Sequence, residues 1–105
     1  MKLSVVGVHR VPEAAEPCHL IELLIEAGSE SLDIDSITQE VPGQDRADWQ
    51  APYDERVLAP DGSRVAFFFH YLEPNRPLLT QAGPIPLPGE TPIPERLRFM
   101  KYEEP

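Results

Sequence analysis

A chain of 105 residues is one domain by size, long enough to bury roughly 65% of its unfolded surface around a core. Its single cysteine, Cys18, rules out an internal disulfide and fits a reducing compartment. The net charge of −9 argues against phosphate backbones and anionic lipid, so neither nucleic acid nor membrane is an expected partner.

The charge is unevenly placed. Residues 1–55 carry 12 acids against 3 bases, residues 56–105 carry 6 of each, and no Lys or Arg lies between Arg10 and Arg46. A basic protein patch or a cation matches such a surface. The simplest reading is a solvated acidic face that keeps a small protein in solution.

In chain order, Lys2 to Val11 is rich in β-branched residues, ends at Pro12 and reads as a strand. Its apolar run, Leu3 to Val8, is too short for a signal peptide or a membrane span, which makes a cytoplasmic location the expectation. Cys18 to Ala27 is ambiguous. Pro17, Gly28 and the Leu, Glu and Ala content favour a helix over about 17–27, whereas Ile21, Leu23 and Ile25 alternating with Glu22 and Glu26 favour a strand. Because the neighbouring segments read as extended, the strand is preferred.

Leu32 to Gln39 alternates weakly and predicts another strand, followed by a polar loop over 42–52. Tyr53 to Ala59 leads into Pro60-Asp61-Gly62, the best hairpin signal of the chain. The second arm, Arg64 to Leu72, is apolar on both faces, with Phe67 and Phe69 on one and Phe68 and His70 on the other, so it predicts a doubly covered strand. Leu78 to Gln81 is a short arm. Pro84, Pro86, Pro88, Pro92 and Pro94 then fall on even positions, with Ile85, Leu87 and Ile93 on odd ones. Prolines two apart remove donors from one edge of an extended chain, so 84–88 predicts a capped edge strand. Glu95 to Tyr102 reads as a closing strand with Leu97 and Phe99 inward.

Together these segments predict an all-β single domain, a sandwich or partly open barrel of six to eight short antiparallel strands with a proline-capped edge. The alternative is an α+β fold with one helix at about 17–27.

Constellations that carry chemistry are weak. Asp33 and Asp35, with Glu40 or Asp45, could hold a hard cation, but the glycine and glutamate of a calcium loop are missing and a solvated strand face is favoured. His9, His19 and His70 with Cys18 lack zinc-ligand spacing, and Cys18 reads as a buried structural thiol. His70 reads as a core or rim histidine. No catalytic residue, metal or cofactor is therefore assigned.

The best contact candidate is Trp49-Gln50-Ala51-Pro52-Tyr53, in which Trp49 and Tyr53 could present amphipathic rings to a partner, with Gln50 beside them as a further contact. Trp49 folding back over the core is the competing reading. The expectation is a small acidic interaction or accessory module with a protein partner. Alternatives are a small enzyme or metal-binding sensor using Asp33, Asp35 or Glu40 near His70, and a structural subunit of a β-rich homo-oligomer.

Overall fold

The computed structural model describes residues 1–14, 18–41, 44–46, 49–57, 60–73 and 75–102, with 41, 44–46 and 49–52 described by their backbone alone. The strands are β1 (Leu3–Arg10), β2 (Cys18–Ile25), β3 (Gln39–Val41), β4 (Gln44–Arg46), β5 (Trp49–Val57), β6 (Arg64–Tyr71), β7 (Leu78–Thr80), β8 (Gly83–Ile85) and β9 (Glu90–Pro92). The fold is all-β. Besides the strands, the described residues form two 3-10 turns, Ile34–Ser36 and Glu95–Leu97.

The main sheet has the order β5-β6-β2-β1-β9, antiparallel except for β9, which runs parallel to β1. The β5–β6 hairpin turns at Pro60-Asp61-Gly62, where Gly62 takes φ 92° and the Asp61 carboxylate accepts from the Ser63 amide at 2.9 Å and its hydroxyl at 2.8 Å. Between Val5 and Gly7 the β1–β2 register shifts, and Val6 is left 54% exposed. Two ribbons, β3–β4 and β7–β8, are joined through paired hydrogen bonds between Thr38 and Leu79 at 3.0 and 2.8 Å. They form an irregular second layer.

Strict alternation along β2 and β6 divides the core in two. Ile21, Leu23, Ile25, Ala66 and Phe68 point to one face and pack with Leu72, just past the end of β6, under Ile37, Leu78 and Ile85 of the second layer. Leu20, Val65, Phe67 and Phe69 point to the other, where Leu97 and Met100 cover them. Both faces of β6 are thus buried, as its apolar pattern requires.

The segment 18–25 is strand from Cys18 onward, so the helical alternative at 17–27 does not hold. Pairing with β1 on one side and β6 on the other places both faces in a core, which outweighs the Leu and Glu helix preference. The strand predicted over Leu32 to Gln39 is replaced by the 3-10 turn at Ile34–Ser36, because the Asp33 carboxylate accepts from the Asp35 amide at 3.2 Å and caps it. Within the predicted loop 42–52, β4 and the start of β5 are extended.

At the proline edge, Pro84, Pro86 and Pro88 are exposed, Ile85 is buried and Leu87 is half-buried, in the predicted phase. The ladder covers only Gly83–Ile85, paired with β7. The closing strand predicted over Glu95 to Tyr102 is corrected as well. A 3-10 turn puts Leu97 and Met100, three apart, into the core and leaves Phe99 42% exposed, stacked edge-on with Phe67 at 5.4 Å and under the Arg56 guanidinium at 4.0 Å. No helix among the described residues is long and apolar enough to cross a membrane.

Candidate functional site at the C-terminal strap

Residues 90–102 form a strap that runs along β1 and over the second face of the sheet. Its first three residues, Glu90, Thr91 and Pro92, are all exposed, so burial of apolar surface does little to hold them. The backbone ladder with β1 holds them, and polar contacts from two histidines, one on each face, add to it.

On the face covered by the strap, His9 of β1 is buried beside Glu22 of β2, with Nε2 2.6 Å from Oε1. Glu22 also receives both Arg96 Nη atoms, at 3.0 and 2.9 Å, in the bidentate arrangement that suits a carboxylate. The other ring nitrogen of His9, Nδ1, lies 2.7 Å from Thr91 Oγ1. Burial pushes the Glu22 carboxyl up, but the Arg96 guanidinium and the His9 ring together outweigh it, and the net direction is below the ordinary value of 4.5.

On the opposite face His19 of β2 is buried, and its Nε2 lies 2.5 Å from Glu90 Oε2, while Arg10 reaches the other oxygen of Glu90 at 3.2 Å. The His19 hydrogen bond, more than Arg10, holds the Glu90 carboxyl below its ordinary range. His19 is the register partner of His70 on β6, so the two rings share a face. His70 is fully buried, and its Nδ1 donates to the Tyr71 carbonyl at 2.9 Å, the core role expected of it.

Where the strap leaves β9 it lines a cleft of about 560 Å³, within the range of small-ligand sites. Phe69 and Met100 form its floor, Tyr102 stands edge-on to Phe69 at 5.5 Å, and Pro12, Pro92 and Ile93 line the sides. Its charged residues are Arg10, Arg98, Lys101 and Glu13. Arg98 and Lys101 have no ion-pair partner among the described residues. A chain of net charge −9 thus gathers three cations and one carboxylate around an apolar floor.

The residues singled out from the sequence lie elsewhere. Tyr53 is half-buried against the first core, and its hydroxyl donates to Glu55 at 2.7 Å, so burial and then the Glu55 carboxylate push its ionisation up. Trp49 and Gln50 stand on β5 at a register shift opposite His70 and Phe69, and their side chains lie outside the described residues. Asp33 and Asp35 sit on an exposed turn, where the Asp33 amide donates to Gln81 at 2.5 Å. Among the described residues no group of three or more His, Cys, Asp or Glu is arranged to hold a metal. Cys18 is buried.

Sequence reasoning missed Glu22, Glu90, Thr91 and Arg96. One signal was present: Glu22 is the only charged residue between Cys18 and Ile25, and a carboxylate inside a doubly buried strand demands partners. No protein-family model, curated protein or solved structure matches the chain.

Proposed function

We propose that the protein is an interaction or accessory module whose contact surface is the cleft under the strap, and that it takes an acidic protein segment carrying an aromatic or aliphatic side chain. The observation that carries this reading is the cluster of Arg10, Arg98 and Lys101 around the Phe69, Met100 and Tyr102 floor of an otherwise acidic chain. Complementary charge steers encounter, and an apolar floor supplies an anchor for one side chain. A single buried thiol suits a protein partner met in the reducing cytoplasm.

A fluorescein-labelled acidic peptide with one tyrosine serves as the probe. Its anisotropy should rise on titration with the protein, fall with added salt, and fall on Arg98→Glu, while any binding of a lysine-rich peptide of the same length should not weaken on Arg98→Glu. Equal binding to the wild type and Arg98→Glu would overturn the reading. A second copy of the chain is the competing occupant, and a mass in solution that grows with concentration would identify it.

A further inference from the structure

We infer that Thr91 is an activated hydroxyl that accepts an acyl group from activated esters, with His9 as its base and Glu22 as the residue that positions the base.

The hydrogen bonds fix the direction of the chain of protons. Glu22 is held ionised by Arg96 and so can only accept. The ring nitrogen facing it, Nε2 of His9 at 2.6 Å, must therefore donate. In a neutral imidazole the other nitrogen is then bare, and Nδ1 accepts from the Thr91 hydroxyl at 2.7 Å. Nucleophile, base and carboxylate thus stand in line, each within hydrogen-bond reach of the next, which is the general signature of an activated hydroxyl.

Access and burial are divided as that chemistry needs. His9 and Glu22 are 6% and 5% exposed, while Thr91 is open to solvent on the outermost strand of the sheet. An incoming carbonyl can reach the oxygen without the base being flooded by water. The groups facing His9 are Glu22 from β2, Thr91 from β9 and the Arg96 guanidinium from the strap, which meets the ring through Glu22. When His9 takes the hydroxyl proton, Glu22 lies against the cation that forms. The bound Arg96 limits how far that carboxylate can stabilise it, so a single acyl transfer is inferred rather than rapid turnover.

In the step itself the Thr91 Oγ1–carbonyl carbon bond forms and the ester's bond to its leaving oxygen breaks. The hydroxyl proton passes to His9 Nδ1 and from there to the departing phenolate or to solvent. No oxidant, metal or further reactant is required.

The test uses the whole chain and p-nitrophenyl acetate. Nitrophenolate should appear in a burst of one equivalent, and peptide mapping should find the acetyl group on Thr91. Labelling of Thr91 should outrun that of the exposed hydroxyls of Ser31 and Ser36 by about 10²–10⁴-fold, the usual contribution of a positioned base. Thr91→Val, which keeps the shape, should abolish the burst, and Thr91→Ser should restore it. Glu22→Gln should lower the rate of the burst but not its size of one equivalent, because the carboxylate orients the base and does not carry the acyl group. A purely structural Glu22 would shrink the burst with the folded fraction and leave the rate of the folded protein in place. The inference fails if folded wild-type protein carries no acetyl on Thr91, if Ser31 and Ser36 are labelled as fast, or if Thr91→Val keeps its burst.

Discussion

Gly7 lies directly opposite Glu22 in the β1–β2 ladder, and the space left by its missing side chain is where Glu22 meets His9. A Cβ built on Gly7 would fall 2.6 Å from both Glu22 Oε1 and His9 Nε2, closer than real Cβ contacts come. Neither atom can retreat freely, since Glu22 is tied to Arg96 and His9 to Thr91. The glycine is therefore required by a polar contact and not by a turn.

Gly7→Ala should destabilise the fold by about 1–3 kcal/mol, the usual range for overpacking a tight site. Chemical denaturation followed by tryptophan fluorescence measures it. A variant as stable as the wild type would show that the pair has room to move aside.

Acid should release the strap before it unfolds the sheet. Glu22 and Glu90 both have folded-state ionisation below the ordinary value of 4.5, so the stability they contribute is present above that value and lost as the pH falls through their lowered ones. Hydrogen exchange at 90–102 should therefore rise below about pH 4.5, ahead of exchange in β2 and β6. Simultaneous loss of protection in all three would show that the polar contacts do not anchor the strap separately.

Phe68 is fully buried in the first core and Phe69 in the second, so each reports on a different layer. Truncation to alanine should cost about 3–5 kcal/mol at either site. In Phe69→Ala the cleft also loses its floor, so binding of the acidic peptide should weaken more than in Phe68→Ala at matched stability. Equal binding losses in the two variants would place the peptide elsewhere.

Divalent cations should stabilise the protein no more than sodium chloride of the same ionic strength, because diffuse screening is not ion-specific. Melting temperatures in calcium, magnesium and manganese check this. A saturable shift, removed by Asp35→Asn but not by Glu90→Gln, would mark a site at the turn capped by Asp33.

Elements with both faces or one whole face buried were legible from residue type. The alternation of Phe67, Phe68 and Phe69 and the proline phase at 84–88 follow from where side chains point in an extended chain, which depends only on neighbours in sequence. Leu97 faces the core as expected, but Phe99 and Met100 were misread because over so short a run one inward residue fits a two-residue and a three-residue period equally well. The polar site was almost invisible for a different reason. Its partners are separated by 13, 74 and 82 positions, and pairing at that range is set by strand order, which no local pattern carries. Only Glu22, stranded among apolar residues, betrayed that something must come to meet it.

The bulge at Val6 makes the chain's length, rather than its composition, the sensitive variable in β1. Eight residues of β1 face seven partners on β2, and Val6 is the one without an opposite number. Removing Val6 leaves all seven pairs intact, with His9 still on the side of Glu22. Removing Gly7 shortens the strand by the same amount but brings Val6 opposite Glu22, so a branched side chain enters the space that the carboxylate and the imidazole share. Two adjacent deletions, equal in size, thus have opposite fates.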